Sequence, residues 1–348
     1  MVEAIARLSP GTALRQGIDD VIRSHEGALI VIGDPEELSF LYSGGIRIDQ
    51  PFTPQLLYEL SKMDGAIVVD DAISRLAYAN VQLMPDPTIP SDETGTRHRT
   101  AERVAKQTSA LVVSISQQRE TVTVFLGDAR HQLDPIATVL AKANQGLAAL
   151  ETYVKRLEQV LTRLTALEFQ NAVVLDDVLV VLQRAEMTSR MVREVERDCV
   201  ELGSEGRLIR AQLEELSGTL PQQEAAVVSD YQATGDPETA LAQLAELPYE
   251  SLLEAETIQD LLGFPRSATP IETVVSPRGY RALSQIPRIP PGVIRRVVAE
   301  LEGLDAIARA SLRELEAVDG VGAVRAREIK EGLRRLQEHN LVERYLSM

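Results

Sequence analysis

The sequence predicts a multidomain α+β protein with an N-terminal mixed-sheet α/β domain over residues 1–134, a helical connector over 135–275 and a C-terminal all-α domain over 276–348. Short runs of Val and Ile alternate with helical patterns in the first part. After Pro135, Gly and Pro become rare, and Leu, Val and Ala recur at helical spacing. A break rich in Pro and Ser, GFPRSATPIETVVSPRG, then precedes an internal repeat.

The first part shows the alternating pattern of a mixed sheet. Strands are predicted at the runs GALIVIG, GAIVVD, ALVVSIS and TVTVFL, and between Arg75 and Leu83. Helices are predicted from Ala13 to about Arg23, from Pro54 to Met63 and from Arg97 to Thr108. Because helices lie between the strands along the chain, we expect them to cover both faces of the sheet.

The connector is predicted to form two long helices, one beginning after Pro135 and one from about Asn171 to Val200. Helices of this length pack against each other or against another subunit. We therefore expect the connector to support oligomerisation. A bundle formed within one chain is the alternative that the residues leave open.

The C-terminal part contains a repeat with a period of 32 residues. Each copy has the pattern of a short helix, a tight turn and a second helix, and two copies can bury apolar faces that neither could bury alone. The first copy's apolar residues, followed by their counterparts in the second, are Leu283, Ile286, Ile289, Ile294, Val297 and Leu301, then Leu315, Val318, Val321, Ala326, Ile329 and Leu333.

Composition indicates a cytoplasmic protein that is not inserted in a membrane. The chain of 348 residues is 44% hydrophobic, and it has no apolar run of about 18 residues and no basic leader. Its single Cys199 excludes an internal disulfide and a cysteine zinc cluster. The chain therefore fits a reducing cytoplasm.

Charge is distributed unevenly along the chain. The formal net charge is -16, yet residues 278–348 contain 13 Lys and Arg against 10 Asp and Glu, which leaves a local net charge of +3. Contacts to nucleic-acid phosphates require basic side chains. Only this last segment is therefore suited to approach a polyanion.

Asp64 and Gly65 directly precede the predicted strand AIVVD. A carboxylate there can bind a hard divalent cation that is shared with substrate phosphates. A glycine lets the backbone approach a ligand closely. Asp-Gly is also a common turn dipeptide, which is the alternative interpretation.

A possible anion site follows at the start of the helix RHRTAERVAKQ. Thr96 is suited to be its N-cap, and Arg97 and Arg99 lie in its first turn. Helix N-termini attract anions, and guanidinium groups donate several hydrogen bonds to phosphate oxygens. Cations are unfavourable at this end of a helix, so a negative group is expected nearby. It is either a bound polyphosphate or an ion pair with Glu93 or Glu102.

The two motifs, Asp64-Gly65-Ala66 and Arg97-His98-Arg99, resemble the diadenylate cyclase domain, and the similarity extends through ANVQLMPDPTIPSDETGTRHRTAERVAKQT. The whole chain resembles the DisA family of DNA-integrity scanning cyclases, which implies synthesis of the second messenger cyclic di-AMP from two ATP with Mg²⁺ or Mn²⁺. The resemblance implies catalytic roles for Asp64, Arg97 and Arg99, with Asp64 at the metal. It also implies ATP contacts by Asp64, Gly65, Ala66, Leu83, Thr96, Arg97, His98, Arg99, Thr100 and Ser116.

Each chain has one such site, whereas the product joins two AMP units. The simplest geometry therefore places two cyclase domains face to face, each presenting one ATP. The family resemblance further implies a homo-octamer, a role in a DNA damage checkpoint and association with the nucleoid. His98 by itself is more typical of a surface histidine than of a metal or phosphate contact.

The segment LEAVDGVGAVRAREIKEGL resembles a helix-hairpin-helix, in which amide groups of a glycine hairpin face a DNA phosphate. Asp319 replaces the usual Pro, and Pro290 occupies the second glycine position in the first repeat. We expect binding of branched DNA of the Holliday-junction kind, with a helical docking domain as the alternative. The predicted DNA contacts are Gly320, Gly322, Arg325, Arg327 and Lys330.

Two other functions remain open from the sequence. One is a DNA-structure sensor that holds ATP without turning it over, and the other is a different metal-dependent nucleotidyltransferase. The sequence contains no P-loop, and Arg325 stands where G-x-G-x-x-G would require its last glycine. No competing nucleotide motif is therefore present.

Overall fold

The computed structural model describes the backbone of residues 1–346 and the side chains of residues 1–338, so the end of the predicted C-terminal domain lies outside the described side chains. Two compact units are present: unit 1 comprises Met1–Gln145 and Val195–Gln212, and unit 2 comprises Gly146–Glu194 and Leu213–Met348. The three-part division at 134/135 and 275/276 stays a prediction.

Unit 1 contains an eight-stranded mixed sheet, and four α-helices precede its strands or lie between them along the chain. The helices are α1 (Val2–Arg7), α2 (Ala13–Arg23), α3 (Pro54–Ser61) and α4 (Thr96–Gln107). The strands are β1 (Ala28–Ile32), β2 (Tyr42–Ser43), β3 (Ile46–Pro51), β4 (Ala66–Val69), β5 (Arg75–Leu83), β6 (Leu111–Ser116), β7 (Thr121–Leu126) and β8 (Ala129–Leu133). Their order is β2-β5-β4-β1-β6-β7-β8, with β3 on β5. β1 and β4 are parallel, and the other pairs are antiparallel.

The sheet is buried on both faces, as the continuous apolar runs predict. Along β1, Ile30 and Ile32 point to the core that α2 and α3 cover, while Leu29 and Val31 point to the core that α4 covers. Successive side chains of a strand alternate between faces, so a run that is apolar throughout needs a covering layer on each side.

Long helices follow the sheet, as expected. They are α5 (Ile136–Phe169) and α6 (Leu175–Leu202), and each contributes residues to both units. Shorter helices continue the chain: α7 (Arg207–Ser217), α8 (Leu220–Tyr231), α9 (Pro237–Glu246), α10 (Tyr249–Leu252) and α11 (Ala255–Leu261). None of the described helices is long and apolar enough to span a membrane.

The C-terminal helices confirm the internal repeat. They are α12 (Tyr280–Ser284), α13 (Pro291–Leu301), α14 (Leu304–Arg309), α15 (Leu312–Ala317) and α16 (Ala323–Leu346). The apolar residues of both copies pack into one core. The backbone repeats as well, because Arg288 in the first hairpin has φ +69° and Gly320, 32 residues later, has φ +79°.

A buried polar network lies at the beginning of α12. Arg281 donates to Glu168 and to the Thr165 hydroxyl, and Tyr231 donates to the same Glu168 carboxylate. Asp230 accepts the backbone amides of residues 279–281. Burial raises the pKa of Asp230 to about 7. Breaking a buried pair of this kind leaves an uncompensated charge, so the network fixes how the repeat begins within unit 2.

The predicted helices and strands of unit 1 are confirmed to within a few residues, but the first helix, α1, and three short strands are missed. β2 has only two residues, β3 is almost entirely exposed, and β8 reads ARHQL. Strands at or near a sheet edge bury little, so they lack the hydrophobic periodicity on which prediction depends.

Candidate active site and candidate DNA-binding hairpin

One edge of the sheet brings the predicted nucleotide residues together. We call it the amino edge: β1 and β4 begin there, and β5 and β6 end there. The registers Leu29↔Ala66, Ala28↔Ile115 and Ala66↔Val81 establish this alignment. The residues gathered at this edge are Asp64, Gly65, Ala66, Leu83 and Ser116.

Asp64 is exposed at the amino edge and makes no hydrogen bond or ion pair with the described residues. A free carboxylate can bind a cation without first breaking a contact within the protein. Gly65 beside it has φ +95°, and a Cβ there would lie 2.8 Å from the backbone carbon of Asn80 and 3.0 Å from the nitrogen of Val81. The fold itself therefore requires a glycine here, because β5 passes too close for any side chain.

The N-terminus of α4 reaches the same edge. Arg97 Nη1 donates to the carbonyl oxygen of Ile115, the penultimate residue of β6, at 3.4 Å. The predicted N-cap is wrong, because Gly95 is the N-cap and Thr96 is the first helical residue. No side chain caps α4, so its first-turn amides have no side-chain acceptor and can meet a bound anion.

The arginines of α4 are not neutralised by the expected carboxylates. Arg99 Nε donates to the backbone oxygen of Glu93 at 3.3 Å, and neither Arg97 nor Arg99 forms an ion pair within the described part of the chain. The two acidic candidates are engaged elsewhere, in the pairs Glu93–Arg130 (2.6 Å) and Glu102–Lys106 (2.8 Å). Two guanidinium groups at a helix N-terminus therefore remain for an external anion.

His98 is half-buried between these arginines. Its ring meets Phe125 edge-on, with 6.5 Å between centroids. Burial lowers the pKa of His98 below its usual value; Glu93 opposes this shift, whereas Arg97 adds to it, so the neutral imidazole is favoured near pH 7. The ring packs α4 onto β7.

The remaining predicted ATP contacts differ in accessibility. Leu83 is buried at the end of β5 opposite Tyr42, and the Ala66 side chain is fully buried in the core under α4. Thr100 is half-buried one turn after Thr96, and the Ser116 hydroxyl accepts the Arg119 amide at 3.4 Å. Ala66 can therefore contact a nucleotide only through its backbone.

The opposite edge, which we call the carboxyl edge, is polar, and several of its charged side chains are engaged within the protein. Arg75 lies 2.6 Å from Asp49, and Asp70 accepts the amides of Ser74 (2.7 Å) and Arg75 (2.8 Å). The whole of β4 separates Asp70 from Asp64, roughly 20 Å for six extended residues. Asp70 and Asp71 follow Asp64 closely in sequence, but they are too far from it to ligate the same cation. Nowhere in the described chain do three or more His, Cys, Asp or Glu side chains form a group suited to a metal.

The hairpin between α15 and α16, residues 318–322, is the candidate DNA contact. Gly320 has φ +79°, whereas Gly322 has an ordinary φ and open space where a side chain would begin. Arg325 Nη1 donates to the carbonyl of Gly320 at 2.7 Å. Arg296, from α13 in the first repeat, donates to the carbonyl of Asp319 at 2.7 Å and lies 3.6 Å from its carboxylate. The hairpin is thus held by two arginines, and Arg296 also offsets the negative charge of Asp319.

The two other predicted DNA contacts, Arg327 and Lys330, differ in whether their side chains are free to meet DNA. Arg327 is exposed on α16, but Lys330 donates to the carbonyl of Ala308 at 2.8 Å and so supports the end of α14. Sequence reasoning did not identify Arg296, because its contact with the hairpin joins the two repeats. The preserved period of the repeat was the signal that could have indicated such a contact.

Comparison with known proteins identifies the family. Residues 15–130 match the DisA bacterial checkpoint controller nucleotide-binding family, and residues 133–270 match the DisA bacterial checkpoint controller linker region. A DNA integrity scanning protein DisA from Carboxydothermus hydrogenoformans is 47% identical over 341 residues, which are 97% of each chain.

The chain belongs to the DisA family. Two further DisA proteins agree: that of Symbiobacterium thermophilum is 47% identical over 99% of this chain and 98% of its own, and that of Bacillus pumilus is 44% identical over 99% and 97%. This DisA-family chain is a diadenylate cyclase, a nucleotidyltransferase with ATP as substrate and a divalent-metal requirement.

Proposed function

We propose that the amino edge holds one ATP, and that two chains placed face to face convert two ATP into cyclic di-AMP. The supporting observation is the unpaired set Asp64, Arg97 and Arg99 at one edge of the sheet. Each 3′-oxygen attacks the α-phosphorus of the opposite nucleotide, the bond to pyrophosphate breaks, and two pyrophosphates leave. Positioning and charge neutralisation account for most catalysis of this type.

The residues present fit a metal that the substrate helps to bind. Asp64 is a single free carboxylate, so it would hold Mg²⁺ or Mn²⁺ together with phosphate oxygens. The ion, when bound, supplies positive charge to the departing pyrophosphate. Arg97, Arg99 and the first-turn amides of α4 orient the triphosphate. Asp64 also favours loss of the proton from the 3′-hydroxyl.

The test is incubation of the protein with ATP and either metal, followed by mass analysis of the nucleotides. Cyclic di-AMP and pyrophosphate are expected. Unchanged ATP would support the alternative of a DNA-structure sensor that binds ATP without turning it over. AMP attached to DNA would support a different nucleotidyltransferase. Activity per chain should collapse on dilution below the subunit dissociation constant, because each chain provides only one nucleotide site. Full activity from a monomer would contradict the face-to-face arrangement.

The hairpin at residues 318–322 supports binding of DNA phosphates, and we extend the proposal to branched DNA. Gly322→Leu should weaken binding to a four-way junction in a gel-shift titration, because a side chain in that open space would block approach to the backbone. Gly292→Leu is the matched control: that glycine also has open space, but it follows two prolines without amide groups. Arg296→Ala should weaken binding too. Undiminished binding by both Gly322→Leu and Arg296→Ala would place the DNA surface elsewhere.

Family membership also supports a homo-octamer and association with the nucleoid in a DNA damage checkpoint. Light scattering on the full chain measures the first property directly. A mass other than eight chains would exclude the octamer and leave the paired site intact. Fluorescence imaging of the tagged protein over stained DNA tests the second.

A further inference from the structure

We infer that Gly27 is a positioning residue for Arg97, and hence for the triphosphate of ATP. Gly27 is buried directly before β1, at the amino edge. A Cβ built on it would overlap Nη1 of Arg97 and lie 3.0 Å from its Cζ. The guanidinium therefore occupies the space that any other residue at position 27 would fill.

The backbone conformation does not explain why residue 27 is a glycine. Gly27 is not among the glycines with positive φ, so alanine could adopt its conformation. After the Arg97 atoms, the nearest atom to the built Cβ is the carbonyl oxygen of Ile115 at 3.2 Å. This distance is a few tenths of an ångström shorter than an ordinary van der Waals contact. Side-chain space, taken mainly by Arg97, is what requires glycine here.

The guanidinium of Arg97 therefore lies in a shallow depression. The backbone of Gly27 lines this depression, and the Ile115 carbonyl accepts a hydrogen bond from Nη1. A methyl group at position 27 would displace the tip of a flexible side chain more readily than it would move the sheet. It would therefore turn Arg97 away from the amino edge while the fold persists. This inference rests on the proposed role of Arg97 as a phosphate ligand.

The experiment is a double-mutant cycle on the full chain with Gly27→Ala, Arg97→Ala and both together. ATP affinity is measured by calorimetry with Mg²⁺, beside cyclic di-AMP formation and melting temperature. Gly27→Ala should weaken ATP binding ~10-fold, the loss expected for one charge-assisted contact. The double variant should bind ATP no more weakly than Arg97→Ala alone. Gly292→Ala, a glycine with open space and ordinary φ, should match the parent.

The outcomes separate the inference from the proposed function. If Arg97→Ala binds ATP like the parent, the anion site itself is misplaced. If Arg97→Ala weakens binding but Gly27→Ala does not, or if the two losses add, Gly27 does not act through Arg97. Should Gly27→Ala lower the melting temperature, adding Arg97→Ala should restore it by removing the overlap. Equal destabilisation of the single and double variants would overturn the inference.

Discussion

The two edges of the sheet in unit 1 are both rich in charge, but they differ in how the charges discussed above are engaged within the protein. At the carboxyl edge, Asp49 pairs with Arg47 (3.2 Å) and Arg75 (2.6 Å). At the amino edge, Asp64, Arg97 and Arg99 lack ion-pair partners among the described residues. Paired charges neutralise one another, whereas charges without a partner in the protein remain available to a ligand. The proposed binding site therefore differs from the cluster around Asp49 in the pairing of its charges more than in their number.

The sharpest test of this contrast replaces one carboxylate by its amide at each edge, in separate variants. Asp64→Asn should reduce cyclic di-AMP formation by at least ~10²-fold, since it removes the charge assigned to the metal and the 3′-oxygen. Melting temperature should not change, because the side chain is exposed and makes no hydrogen bond or ion pair with the described residues. Asp71→Asn at the carboxyl edge is the control and should retain full turnover. Near-normal turnover by Asp64→Asn would remove this residue from the mechanism.

Arginines provide the next comparison. Arg97→Ala and Arg99→Ala should each weaken ATP binding ~10-fold, the loss of one charge-assisted contact. Lysine should rescue only in part, because it lacks the planar guanidinium fork. Arg75→Ala, at the carboxyl edge, should bind ATP like the parent while losing its pair with Asp49. Calorimetric titration with ATP measures all variants, and parental affinity in both α4 variants would move the anion site to another helix.

At the carboxyl edge the expected effect is on stability. Burial alone would raise the pKa of Asp70, but hydrogen bonds from the Ser74 hydroxyl and from the Arg75 and Ser74 amides lower it below its usual value. The stabilisation is thus present above the pKa of the unfolded chain and is lost as pH falls through the lower folded pKa. Asp70→Asn should cost about 1 kcal/mol near neutral pH.

Urea unfolding of the parent and Asp70→Asn, from neutral pH down to acid, measures this difference. The two free energies of unfolding should converge as the pH falls, because the parent carboxyl then also becomes neutral. A difference that stays constant with pH would show that the charge of Asp70 contributes nothing. Cyclic di-AMP formation should be unaffected in the folded variant.

The smallest effect on stability is expected at the N-termini of two helices, α3 and α4. Thr53 caps α3 by accepting the Leu56 amide at 3.2 Å, so Thr53→Ala should cost about 1 kcal/mol of stability. Thr96 is inside α4, so Thr96→Ala should stay within about 0.5 kcal/mol of the parent. If Thr96 contacts ATP, its variant should lose affinity and keep its melting temperature. Thermal unfolding of both variants decides whether α4 lacks a side-chain cap.

Much of the site was predictable because its residues are close in sequence. The pair Arg97 and Arg99 in the first turn of one helix, and Asp64 before a strand, needed only local patterns. The N-cap was wrong because Gly95 and Thr96 are both acceptable caps, and only backbone angles distinguish them. The sequence explained Gly65 only as a residue that lets a ligand approach the backbone. The close approach of β5, which also requires a glycine, is a contact between strands that local sequence does not show.

The sequence by itself determined the sheet of continuous apolar strands, the long helices, the period of the repeat and the two nucleotide motifs. These depend on side-chain periodicity and local turn chemistry, which the order of residues contains. Tertiary structure alone decided which carboxylates pair, that Asp64 lies at the edge opposite Asp70, that Gly27 leaves room for Arg97 and that Arg296 braces the second hairpin. Strand register and packing bring these groups together from distant positions, and their contacts have no local signature.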